Sequence, residues 1–138
     1  MTLTIFVPGR LTNPLNGSWG HWSKHARIAR RWRNSTSMAV YWTKASHPVS
    51  YPALGPASTP KAVTLTVHTG GIWDDDGLPA ACKPLRDGLR DAGMIDDDTP
   101  TSGHRFTYLQ RIDRKHRGVT ITVERLALAA ALVEEKGT

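Results

Sequence analysis

Residues 73–98, WDDDGLPAACKPLRDGLRDAGMIDDD, constrain the fold more than any other stretch. One carboxylate triplet, Asp74, Asp75 and Asp76, opens it, and a second, Asp96, Asp97 and Asp98, closes it. Between them Leu78, Ala81, Cys82, Leu85, Leu89 and Ala92 recur at helical spacing and make one apolar stripe. The chain must bury that stripe while holding a dense cluster of like charge at each end. Such clusters cost stability unless a counter-charge sits between them. A divalent metal, a basic partner chain or solvent can supply it. Pro84 sits inside the stripe. Proline is tolerated in a first turn, so the spacing predicts a regular helix from Cys82 or Lys83, with residues 78–81 forming a turn or kink before it. Gly93 is the expected stop.

The charges elsewhere are segregated. Residues 1–73 contain no Asp or Glu but eight basic residues: Arg10, Lys24, Arg27, Arg30, Arg31, Arg33, Lys44 and Lys61. All 12 acids follow. An acid-free basic half beside an acid-clustered site suggests a polyanion held by one part and a metal by the other. The net charge of +6 and pI near 9.9 favour the same class of partner. Cys82 is the single cysteine, which excludes an intramolecular disulfide. No apolar run reaches the roughly 18–20 residues of a membrane span. The start, MTLTIFVPGR, lacks the pattern of a signal peptide. The expectation is a soluble cytoplasmic protein with no membrane contact and no organic cofactor.

Its 138 residues suit one domain with a modest core. Residues 2–7 alternate and predict a strand. Residues 11–20 are rich in Asn, Pro, Gly and Ser and predict a loop. Ser23 is a candidate N-cap for a helix to about Ala45, with Ile28, Ala29, Trp32, Ala39 and Trp42 as its apolar face. Lys24, Arg27, Arg30, Arg31 and Arg33 crowd the first half of that helix, where they oppose the macrodipole. The placement suggests phosphate contact, with a solvated basic face as the alternative. Residues 46–60 hold four prolines and predict a mobile loop. Residues 61–69 alternate as a half-buried strand. Residues 99–103 predict a turn. Residues 105–113 and 118–124 predict two strands joined as a hairpin. Residues 126–135 are Ala/Leu-rich and predict a short terminal helix. The order predicts a single α+β domain over residues 1–125, with a mixed sheet of about four strands, two main helices packed on it, and a tail over 126–138.

Asp74 and Asp76 are two apart, which in an extended segment puts both carboxylates on one side, as a shared hard cation requires. Magnesium needs few protein carboxylates and leaves positions for water and phosphate oxygens. Lys83 follows Asp76 by seven residues, two helical turns, and could return to the carboxylate side. Against this, acidic triplets are often solvated loop ends and an Asp before a helix is often only a cap. A calcium loop is excluded: with Asp74 at position one, position twelve is Leu85 and the glycine falls at position four. Among the histidines only His21 and His25 have ligand-like spacing, and capping, packing or phosphate contact suits them better than zinc. Trp19, Trp22 and Trp32 could stack on bases, with packing the alternative for Trp32.

The stretch resembles the RusA family of Holliday-junction resolvases of phages and prophages. That family carries D-x-D-N-x-x-K, an Asp four residues after the Lys, and an acidic pair about ten residues on, after a turn such as A-G. Asp74 and Asp76 match the leading carboxylates, Lys83 the lysine, Asp87 the next Asp, and Asp97 and Asp98, after Ala92-Gly93, the closing pair. Gly77 stands where Asn is usual, and three extra residues precede the lysine. The frame of the closing pair is uncertain by one, so Asp96, Asp97 and Asp98 compete, with Asp97 favoured. NPLNGSWGHWSKHARIARRWR is similar to the family's polar loop and basic helix. The resemblance implies a homodimeric, magnesium-dependent endonuclease, with manganese able to substitute, that cuts four-way DNA junctions by paired nicks and leaves 5′ phosphates. It implies Asp74, Asp76, Lys83 and Asp97 as catalytic residues and Asp74, Asp76, Asp97 and Asp98 as metal ligands. Lys24, Arg27, Arg30, Arg31 and Arg33 would hold the arms of branched DNA, in a bacterial or phage-infected cytoplasm. Three rivals stand: a nuclease of the same mechanism acting on flaps, forks or other branched DNA, an inactive DNA-binding protein of the same fold, and an interaction protein that docks a basic partner on its acidic loop.

Overall fold

The structure, a computed structural model, describes residues 2–12, 22–73 and 77–126. Four strands, β1 (Thr2–Pro8), β2 (Lys61–Thr69), β3 (Arg105–Ile112) and β4 (Gly118–Arg125), form one mixed sheet in the order β1-β4-β2-β3. Two main helices, α1 (Trp22–Ser46) and α3 (Gly77–Asp91), accompany it, with a short α2 (Ser50–Ala53) and a 3-10 turn over Pro100–Ser102. This is the α+β architecture that the alternation of patterns predicts.

Period-two alternation decides the sheet. Register aligns it into three apolar rows: Leu3–Val123–Val63, Ile5–Ile121–Leu65 and Val7–Val119–Val67. All nine side chains are buried. β3 extends the rows with Phe106, Tyr108 and Gln110, which are only partly buried. Its inward face therefore mixes packing with polar groups, and two of those groups serve the site described below.

β3 and β4 do not form the expected hairpin. β2 lies between them, parallel to β3 and antiparallel to β4. The link over residues 113–117 must cross about two strand spacings, roughly 10 Å, and it has no Asn-Gly or Asp-Gly pair to close a two-residue turn. Instead it bonds to the end of β2. The Asp113 amide donates to the Thr69 carbonyl at 3.0 Å, Arg114 to the Gly70 carbonyl at 3.0 Å and Arg117 to the His68 carbonyl at 3.2 Å.

α1 begins at Trp22, so Ser23 is its second residue and not the cap. Its buried stripe is Trp32, Thr36, Val40 and Thr43, with Ile28 and Ala39 beside it. Trp42, expected in that stripe, is 71% exposed. Thr36 and Thr43 take the inward places because each hydroxyl bonds back to the carbonyl four residues earlier, at 2.8 Å, leaving a methyl to pack. Residues 46–60 are not one loop. They carry α2 and the buried Leu54, and Lys61 closes them by donating its ammonium to the Pro56 and Thr59 carbonyls at 2.8 and 3.1 Å.

α3 runs from Gly77, five residues ahead of the expected start, and keeps Pro84 inside it. Residues 78–81 are helical because Leu78 and Ala81 are already buried with Cys82, Leu85 and Leu89. Burying that stripe outweighs the one backbone bond lost at proline. α1 and α3 approach closely at Gly88, whose carbonyl accepts the Ser37 hydroxyl at 3.0 Å. A Cβ there would lie 2.6 Å from the Arg33 carbonyl oxygen. Leu126 is tied by its amide to the Pro60 carbonyl at 3.1 Å. Residues 13–20 of the loop predicted over 11–20 and the tail beyond Leu126 lie outside the described residues, as do Asp74, Asp75 and Asp76.

Candidate metal and nucleic-acid site

The end of α3 decides how the second acidic cluster returns. Gly93 adopts φ +79° and closes the helix with paired bonds, Gly93 to the Arg90 carbonyl and Met94 to the Leu89 carbonyl, each 3.0 Å. This is the glycine stop expected there. Met94 and Ile95 then enter the core at 2% and 1% exposure. With those two anchored, the next three residues run back beside the helix and their carboxylates separate.

Asp96 turns to His104, whose Nε2 lies 2.7 Å from its carboxylate. The other imidazole nitrogen accepts the Lys61 amide at 3.2 Å, so Nε2 carries the proton and donates. That bond holds the Asp96 carboxyl below its ordinary pKa. Asp97 folds onto its own turn, accepting the Asp98 amide at 2.8 Å and the Thr99 hydroxyl at 3.1 Å. Asp98 points to α3, and its side chain is 7% exposed.

Three cations meet Asp98. Lys83 Nζ lies at 2.9 Å, Arg86 Nε at 3.3 Å and an Arg90 guanidinium nitrogen at 3.8 Å. Lys83 also binds Asp87 at 3.0 Å. Lys83, Arg86, Asp87 and Arg90 sit at i, i+3, i+4 and i+7, one helical face opposite the buried stripe. Arg86 is further held by the Pro79 carbonyl at 2.9 Å and the Tyr108 hydroxyl at 2.7 Å. Burial works against the charged form of Asp98, but the hydrogen bonds and charges of Lys83 and Arg86 outweigh it and leave the carboxyl below its usual pKa. The Asp98 hydrogen bond pushes Lys83 above its usual pKa, with Asp87 adding to it and burial opposing. In this arrangement Lys83 is held as an ammonium.

Sequence reasoning puts Lys83 and the closing acids in one site, and the described residues bring Lys83 to Asp98 rather than to Asp97. It misses Arg86, Arg90 and Tyr108. The first two are recoverable from their helical offset to Lys83, whereas Tyr108 depends on β3 pairing in parallel with β2. Gln110 on the same face clamps Trp73, its amide bonding both the Trp73 amide and carbonyl at 2.8 Å. Trp73 immediately precedes Asp74, so the entry to the first triplet is fixed at that point. Among the described residues, no three His, Cys, Asp or Glu side chains gather into a metal-binding group. Asp74 and Asp76, the expected leading ligands, are outside the described residues. The donors within them, Asp97 and Asp98, are hard oxygen ligands of the type magnesium takes, but they make an incomplete set.

The basic residues of α1 divide. Lys24, Arg27, Arg30 and Arg31 are exposed. Arg33 is committed to Asp91 on α3 through both carboxylate oxygens, so it braces the helices. Lys61, one of the eight early cations, is 1% exposed. Ser35, Arg31 and Arg10 line a cleft of about 270 Å³ over Trp32. No helix among the described residues is long and apolar enough to cross a membrane.

No protein-family model matches this chain, and no curated protein matches it at a significant level.

Proposed function

We propose that the chain is a divalent-metal-dependent endonuclease of branched DNA that resolves four-way junctions by paired nicks, acting as a homodimer. The observation that carries this reading is the Lys83 ammonium, half exposed and seated between Asp98 at 2.9 Å and Asp87 at 3.0 Å, on the helix that directly follows Asp74–Asp76 in sequence. A protonated lysine beside acidic residues is suited to hold a phosphate oxygen where a metal also sits. Asp74, Asp76, Asp97 and Asp98 would hold magnesium, which supplies Lewis-acid polarisation and a more acidic bound water. Lys83 and Arg86 keep Asp98 ionised, and Tyr108 and Pro79 keep Arg86 in place. Lys24, Arg27, Arg30 and Arg31 would contact the DNA backbone, giving binding that falls with salt. Two symmetric active sites suit the two symmetric strands cut in a junction.

One observation favours a second reading. Asp98 already has three cations, so the cluster could be complete without metal, as in a DNA-binding protein of the same fold with no activity. Cleavage of a labelled four-way junction decides between them, with magnesium or EDTA, beside a linear duplex and a flap. Under the nuclease reading the wild type cuts symmetrically in magnesium, and Asp76→Asn and Lys83→Met each lose the cuts while still binding. Tight binding with no cuts in any variant would establish the inactive reading. Cuts on the flap alone would keep the mechanism and change the substrate.

A further inference from the structure

The outward face of α1 changes character at its middle. Its first half carries Lys24, Arg27 and Arg31, all exposed, and among the described residues no carboxylate pairs with them. Its second half carries Met38, Tyr41 and Trp42, exposed at 60%, 53% and 71%. These two groups share one side of the helix. Lys24 to Arg31 is seven residues and Arg31 to Trp42 is eleven, near two and three whole turns at about 3.6 residues each. The core does not use this side, since α1 packs through Trp32, Thr36, Val40 and Thr43. Single exposed apolar residues need no explanation, but a clustered methionine, tyrosine and tryptophan mark a contact surface.

Charge selects what that surface meets. No acid occurs anywhere in residues 1–73, and the chain carries +6 overall. A second copy would bring its own cations against these, whereas a nucleic-acid strand offers phosphates and aromatic faces in one ligand. Arg31 and Trp42 are about 16 Å apart along the helix axis at about 1.5 Å per residue. That span matches about five nucleotides of a stacked strand at about 3.4 Å each. We propose that the second half of α1 is a stacking platform for unpaired bases, centred on Trp42 and flanked by Tyr41, on a strand whose phosphates run along Lys24, Arg27 and Arg31. The proposal rests on the DNA-binding reading above and narrows its ligand. A perfect duplex hides its base faces, so the platform selects frayed, branched or single-stranded DNA.

The test is binding by fluorescence anisotropy in EDTA, with a labelled single-stranded oligonucleotide and the matching duplex, for wild type, Trp42→Ala, Trp42→Phe and Tyr41→Ala. Trp42 and Tyr41 are exposed, and an unchanged melting curve checks that the variants fold. Trp42→Ala is expected to weaken single-strand binding about tenfold or more, in line with alanine substitution at other base-stacking residues, while duplex binding stays within about twofold. Trp42→Phe should restore most of the loss. Equal effects on both probes, or none on either, would overturn the platform. So would light scattering that shows Trp42→Ala dissociating a dimer while single-strand affinity is unchanged, which would make this face a self-association surface. Junction cleavage in magnesium on the same samples separates the two proposals. Trp42-dependent binding without cleavage removes the nuclease reading and keeps the platform. Cleavage with Trp42-independent binding does the reverse.

Discussion

Replacing Asp98 by asparagine removes the charge that three cations converge on, and the structure sets the size of the effect. The contact with Arg86 is the most enclosed, with side-chain exposures of 14% and 7%. Lys83 and Arg90 are 50% and 37% exposed, so solvent screens their contacts and each contributes about 0.5 kcal/mol. Breaking a fully buried pair costs about 3–5 kcal/mol. Arg86 falls well short of that limit because the Pro79 and Tyr108 oxygens still accept from it. The asparagine side chain would also keep one acceptor oxygen. We expect Asp98→Asn to lose about 2 kcal/mol, or roughly 6–8 °C in melting temperature for a chain of this size. The loss must depend on pH in one direction. The folded Asp98 carboxyl titrates below its unfolded value near 3.9, so its contribution is present above that pH and disappears as pH falls through the folded value. Asp91, Asp96 and Asp113 are also lowered, but they titrate in both proteins and cancel in the difference. Urea unfolding of both proteins from pH 7 to pH 2.5 measures the gap. A gap of the same size at both ends, or one below about 0.5 kcal/mol at pH 7, would refute the charge-cluster account of Asp98.

Two further outcomes test the packing. Gly88→Ala should cost about 1 kcal/mol in urea unfolding, because overpacking of about 1–3 kcal/mol against the Arg33 carbonyl and Thr36 exceeds the helix gain of up to about 1. Gly71→Ala is the control, since a Cβ there meets nothing within 4 Å, and it should be neutral or slightly stabilising. Cys82 is fully buried and its thiol is pushed up to about 12 by burial, so native protein at pH 8 should resist a thiol reagent that labels it at once in denaturant. Rapid native labelling would mean that α3 opens locally.

Much of the fold was legible because its strands are simple. β1, β2 and β4 alternate cleanly, and each is found as a strand where the alternation predicts one. What failed was pairing. The sequence of β3 and β4 is that of two adjacent strands, and adjacency in the chain makes a hairpin the natural expectation. Nothing in Arg114-Lys115-His116-Arg117 announces that β2 slots between them. What marks β2 as central is burial on both faces: none of its residues is exposed, whereas β1, β3 and β4 each have exposed positions. The helix errors share a cause. Counting Trp42 as core and leaving out Thr36 and Thr43 follows residue hydrophobicity, whereas the buried threonines satisfy their hydroxyls within the helix itself.

The candidate site was legible in its parts and not in its pairings. Lys83 and the closing acids stand out as residue types, and Gly93 announces the turn between them. Which acid meets the lysine depends on Met94 and Ile95, because once both are buried the side chains after them have fixed directions. The result gives three adjacent aspartates three different environments: one on a buried histidine, one on its own turn and one under three cations. Identical residues so close in sequence cannot be told apart by composition or spacing. They differ only through what the fold puts opposite them, which makes Asp98, with Lys83, Arg86 and Arg90 around it, the carboxylate whose removal says most about whether this cluster is a catalytic site or a brace.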